Sequence, residues 1–135
     1  MNSKTARAGV CICADDVDNM VRFYRDTLGL HTDFNGGTFA AFDTAGGYLS
    51  LFMYSRKAFS DDLGVEYIPH KGINMTFEVA LWLPTYADVD AEYERLMQLG
   101  VPNPTGKPQT NFGLRSFFIT DPEGNLVEIG SMSES

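Results

Sequence analysis

Residues 16–29, DVDNMVRFYRDTLG, return in altered form at residues 88–100, DVDAEYERLMQLG, and this recurrence decides the fold. Each copy opens on Asp-Val-Asp and closes on Leu-Gly: Asp16-Val17-Asp18 with Leu28-Gly29, and Asp88-Val89-Asp90 with Leu99-Gly100. Val17, Met20, Val21, Tyr24 and Leu28 recur at three- and four-residue spacing. Val89, Tyr93, Leu96 and Met97 do the same, so both segments predict amphipathic helices. Asp15 or Asp16 can cap the start of the first, and Gly29 and Gly100 are helix stops.

Working outward, Val10, Ile12 and Ala14 alternate with Cys11, Cys13 and Asp15 and predict a strand before the first helix. After it, residues 31–34 and 38–42 predict strands separated by the turn Asn35-Gly36-Gly37. A further turn at 43–47 leads to a strand in which Leu49, Leu51 and Met53 alternate with Tyr48, Ser50 and Phe52. Residues 55–72, with mixed charge, Gly64, Pro69 and no sustained period, read as a linker or arm. The pattern then restarts: Met75, Phe77 and Val79 alternate with Asn74, Thr76 and Glu78 before the second helix. Pro102, Pro104, Gly106 and Pro108 make a loop, and strands at 114–120 and 126–129 flank the turn Asp121-Pro122-Glu123-Gly124-Asn125.

Matching the turn at 43–47 to that at 121–125 pairs Ser50 with Glu128 and Phe52 with Gly130. Matching Ile12 to Phe77 pairs Gly9 with Asn74 and leaves about seven extra residues, 81–87, before the second helix. The expected class is α+β, a single domain over 1–135. It has two tandem βαβββ units, one at about 8–54 and one at about 73–131, forming a curved mixed sheet with helices outside. By strand parity Val10, Ile12, Leu49, Leu51, Met75, Phe77, Val127 and Ile129 belong under the helices. The opposite face carries Gly9, Cys11, Cys13, Tyr48, Ser50, Phe52, Asn74, Thr76, Glu78, Leu126 and Glu128 and is expected to line a concave ligand cup.

The balance of 10 Lys and Arg against 18 Asp and Glu, a formal charge of −8, argues against nucleic-acid and anionic-membrane partners and suits a cationic or neutral small ligand. Cys11 and Cys13 share one strand face and cannot form a disulfide framework. A metal site built on them alone would need outside ligands. Residues 1–9 lack the apolar core of a signal peptide, so the expectation is a cytoplasmic protein with reduced thiols. No P-loop, dinucleotide-binding glycine pattern or Ser-His-Asp arrangement is present.

Residues 17–30, VDNMVRFYRDTLGL, and 112–130, FGLRSFFITDPEGNLVEIG, resemble the vicinal oxygen chelate superfamily, the glyoxalases, bleomycin-resistance proteins and extradiol dioxygenases. The resemblance implies paired βαβββ units and, in metal-using members, a divalent ion held by the first and last strands of each unit. Carried over, those positions are Gly9, Ser50, Asn74 and Glu128, of which only Glu128 is a good ligand for such an ion. His31 and His70 lie off them, and Glu78 meets Glu128 only if the first ligand position is misplaced. Glu128 has two readings: a carboxylate that anchors a cationic or hydrogen-bonding ligand, or a structural residue that satisfies a neighbour such as Arg115 across the last hairpin.

The resemblance therefore implies a metal-independent protein without a cofactor, binding a small molecule such as a cationic drug or metabolite through Ser50, Phe52, Asn74, Trp82 and Glu128. No catalytic residue is assigned. The alternative is a metal-dependent lyase, isomerase or dioxygenase with one divalent metal ion on Glu128. A homodimer is expected, with residues 55–72 as a candidate dimer arm.

Overall fold

The computed structural model describes residues 4–6, 8–44, 46–47 and 49–135. Ala45 and Tyr48, read above into a turn and the cup face, lie outside the described residues. The chain divides into two compact units, Met1–Pro69 and His70–Ser135.

In the first unit, β1 (Val10–Ala14) leads into α1 (Val17–Arg22), whose last turn continues as a π-helical turn, Phe23–Thr27. β2 (Phe39–Phe42), β3 (Leu51–Ser55) and α2 (Arg56–Leu63) follow. The sheet order is β1-β3-β2, with β1 parallel and β2 antiparallel to β3. Asp16 caps α1 by accepting from the Asn19 N–H at 3.0 Å, and Gly29 ends the segment at φ +79°. Met20, Val21 and Tyr24 bury their side chains against Ile12, Ala14, Phe42, Leu51 and Met53 to form the core. The strand expected at 31–34 shrinks to one bridge, His31 with Asp43.

Part of the expected linker is helix. Ser55 caps α2 through the Ala58 N–H, and Gly64 closes it in the left-handed region at φ +68°. Arg56 bonds to Asp15 and to the Cys13 carbonyl, and the Tyr67 hydroxyl donates to Asp15, so this segment belongs to the first unit. Only Ser60 of α2 is buried, which is why no apolar period announced the helix.

In the second unit the same wiring returns. β4 (Asn74–Trp82) precedes α3 (Tyr86–Gln98), then β5 (Gln109–Asn111), β6 (Leu114–Thr120) and β7 (Asn125–Ser131). The order is β4-β7-β6-β5, with β4 parallel to β7 and the other pairs antiparallel. Val79, Val89, Leu96, Phe117, Ile119, Val127 and Ile129 form the core. β5 lies in what the prolines marked as loop. The cap of α3 is Thr85, in a reciprocal box: its hydroxyl accepts from the Asp88 N–H at 3.2 Å, and the Asp88 carboxylate accepts from the Thr85 N–H at 3.0 Å. Asp88 is thus the third helical residue rather than the cap, and the two Asp-Val-Asp tripeptides sit one turn apart in their helices.

Strand register corrects the internal alignment. Val10 faces Leu51, and Leu81 faces Ile129, the counterpart of Leu51, so Val10 corresponds to Leu81. The extra residues therefore extend the front of β4 instead of separating it from the helix. Asn74 pairs with Asn125 while Glu78 pairs with the very next residue, Leu126, leaving 75–77 as a bulge. That bulge removes Met75 and Phe77 from the expected helix-covered face: they are 78% and 40% exposed. Val10, at the open start of β1, is 47% exposed.

Candidate functional site

Side chains alternate along β7: Val127 and Ile129 go into the core, while Leu126, Glu128 and Gly130 lie on the other face. Register places Glu128 between Ala80 of β4 and Phe118 of β6, with Glu78 and Trp82 the next residues on the same face of β4. Glu128 is 8% exposed and Trp82 59%.

The neighbour of Glu128 on this face is Glu78, diagonally across the strand pair, and hydrogen bonding between the two carboxyls is one cause of a shift in Glu78. The Glu78 carboxyl is pushed up from its ordinary 4.5 to about 7, first by partial burial, then by that hydrogen bond and by the Glu128 charge. Arg115, the neighbour in the structural reading of Glu128, instead bonds to Asp90 at 2.8 Å and to Thr110 at 3.0 Å, tying β6 to α3 and β5.

On the far side of Phe118 the same unit has a recess of about 140 Å³ lined by Thr105, Lys107, Gln109, Asn111, Ser116 and Phe118. Phe118 thus separates the carboxyl pair from a small polar recess.

Asn74 stands apart from this face. It shares the side of Asn125, donating to its Oδ1 at 3.1 Å and accepting from the Thr76 N–H at 3.0 Å. The residue that faces Glu128 across the strand pair is Ala80.

In the first unit the open face carries Cys11 and Cys13 of β1, Phe52 and Tyr54 of β3, and Phe39 and Ala41 of β2. Phe39 and Phe52 stack with centroids 6.0 Å apart. A Cβ on Gly9 would come within 2.9 Å of the Phe52 ring and 3.0 Å of the Ser50 carbonyl, so the room that a ligating side chain would need is filled. Ser50 itself accepts from the Val10 N–H through its carbonyl at 3.0 Å. His31 lies 3.5 Å from Asp33, and His70 bonds to the Gly72 carbonyl.

The donor set does not fit a resident divalent ion. Gly9 brings no donor, Asn74 is engaged with Asn125, and Glu128 has one carboxylate neighbour. Among the described residues no cluster of three or more His, Cys, Asp or Glu is assembled. Glu78 was expected beside Glu128 only if the first ligand position were misplaced, and register shows that it is; the place of Phe118 opposite Glu128 was not read from the sequence.

Two units, each joining its first strand in parallel to its last and leaving one sheet face free of its helix, define an α+β paired-module protein. The chain matches the Glyoxalase/Bleomycin resistance protein/Dioxygenase superfamily over residues 7–129 and belongs to it. Among solved structures it is similar to a glyoxalase/bleomycin resistance protein/dioxygenase from Nocardioides, at 23% identity and a TM-score of 0.78, covering 100% of this chain and 88% of that one. It is also similar to a lactoylglutathione lyase from Agrobacterium tumefaciens, at 26% identity and a TM-score of 0.72, covering 96% of each chain. A family enzyme from Burkholderia phytofirmans PsJN matches at 20% identity and 0.74, over 91% of this chain and 95% of that one. Among the described residues no helix is long and apolar enough to cross a membrane.

Proposed function

We propose that the chain is a metal-independent, cytoplasmic small-molecule binding protein of this superfamily, whose ligand carries a cationic or hydrogen-bond-donating group. The observation that carries this reading is the Glu78–Glu128 pair, a nearly buried carboxylate whose neighbour is a second carboxyl instead of a cation. A cationic group seated there supplies the counter-charge, while Phe118 and Trp82 offer aromatic faces for the rest of the molecule. The acidic surface concentrates cations near it. A homodimer is proposed as the working form.

Titration calorimetry with a panel of cationic glycopeptides and aromatic amines tests the proposal. Binding that weakens at least tenfold in Glu128→Gln supports it, and no heat or thermal shift across the panel overturns it.

The second reading is a lyase, isomerase or dioxygenase with a divalent ion on Glu128. It is favoured by the likeness to the A. tumefaciens lactoylglutathione lyase and by the presence of a second carboxyl at Glu78. Metal analysis of protein purified without chelator separates the two. One equivalent of a divalent ion, lost in Glu128→Ala, replaces the binding reading with this one.

A further inference from the structure

β1 carries two free thiols, Cys11 exposed and Cys13 half-buried. Ile12 between them is 2% exposed and points into the core, so the two thiols share the open face. Cys11 stands beside Phe52 and Cys13 beside Tyr54, with Phe39 stacked on Phe52. The thiols therefore occupy a surface that is otherwise aromatic.

Their spacing limits what they can do. Two residues along a strand separate Cα atoms by about 6.5–7 Å, and both Cβ vectors are parallel, so the Cβ atoms cannot approach to the ~4 Å of a disulfide. Each Sγ can still swing toward the other until one ion fits between them. Sulfur selects soft cations, and among the described residues no third His, Cys, Asp or Glu joins the pair, which disfavours ions that require four ligands.

We propose that Cys11 and Cys13 form a two-sulfur site for a soft, two-coordinate d10 cation of the mercuric type. In the binding step each S–H bond breaks, each sulfur keeps its electron pair and donates it to the ion, and two protons go to solvent. A dication and two thiolates give a neutral product with no change of oxidation state, which suits an aromatic face on an acidic protein. The site is independent of the carboxyl pair of the second unit and of the function proposed for it.

The test adds mercuric chloride to the reduced full-length protein in the presence of a monothiol competitor. The expected result is one ion retained per chain, two protons released, and both thiols lost to a thiol reagent. Retention should fall about 10²–10⁴-fold in Cys11→Ser and in Cys13→Ser, because the second sulfur acts at high effective concentration. Zinc should not be retained. Two ions per chain, one ion per two chains, a single-cysteine variant that retains the ion as wild type does, or equal retention of zinc would each overturn the proposal. Proton and thiol counts on the wild-type chain decide it even where a variant fails to fold.

Discussion

Glu78 and Glu128 lie diagonally across the parallel pair β4–β7, Glu78 opposite Leu126 and Glu128 opposite Ala80, on the one face of that sheet that α3 leaves open. The Glu78 carboxyl is pushed up to about 7 by partial burial, by hydrogen bonding to Glu128 and by the Glu128 charge, so it keeps its proton close to neutral pH. As pH rises through about 7, Glu78 gains a negative charge. Affinity for a cationic ligand should therefore rise about tenfold as pH goes from 6 to 8. Calorimetry at the two pH values checks this, and Glu78→Gln should flatten the rise. A cation that binds equally at both would show that the pair is not its counter-charge.

The same proton has a consequence for stability. Glu78 has a folded pKa raised above its ordinary 4.5, so between 4.5 and about 7 the folded chain holds more protons than the unfolded one. This contribution is fully present below 4.5 and is lost as pH rises to about 7. Glu78 is exposed, and solvent and salt screen it, so the loss should be no more than about 1 kcal/mol. Urea midpoints of wild type and Glu78→Gln, compared at pH 5 and pH 8, should diverge in favour of the variant at pH 8.

Gly124 closes the turn before β7 at φ +84°, and a Cβ there would fall 2.1 Å from the Gly72 carbonyl oxygen. Gly100 has a similar φ of +74° with nothing within 4 Å of an added Cβ. Gly100→Ala should cost only the backbone term, about 1 kcal/mol. Gly124→Ala adds a collision with backbone that cannot rotate away and should cost about 2–4 kcal/mol. Chemical denaturation of the two variants measures the difference, and equal losses would mean that the Gly72–Gly124 contact yields easily.

The repeat, the helices and the strands at 114–120 and 126–129 were legible because each rests on a local period or a stop residue. Three features were not, for separate physical reasons. α2 is short and buries only Ser60, so its sequence carries no apolar stripe. β5 pairs through backbone bonds with all three side chains exposed, so alternation has nothing to record. The bulge at 75–77 keeps the alternating pattern of Met75, Phe77 and Val79 while changing what each residue faces. Matching Ile12 to Phe77 assumed an unbroken ladder, and it therefore set Asn74 at the position beside Glu128 where register sets Ala80, with Glu78 next on the same face. Glu128 itself was found because its place after the Asp121 turn is set by local chemistry, whereas its partner depends on a pairing between distant strands.

That distinction can be separated experimentally at Asn74. Its side chain joins the start of β4 to the turn of the last hairpin: it donates to Asn125, which donates to Asp121 at 2.9 Å, and Asp121 in turn accepts from the Asn125 and Glu123 N–H groups. Asp121 and Asn125 are 3% and 7% exposed, so the network is shielded from water. Asn74→Ala removes two hydrogen bonds from it and should lower stability by about 1–2 kcal/mol while leaving ligand affinity within about twofold. Glu128→Gln should do the reverse, because it removes a nearly buried charge that lies beside a second carboxyl, costing binding at least tenfold and little or no stability. Urea denaturation and calorimetry on both variants give the four numbers. An Asn74→Ala protein that folds as well as wild type but loses affinity as Glu128→Gln does would return Asn74 to the ligand site and remove it from the hairpin network.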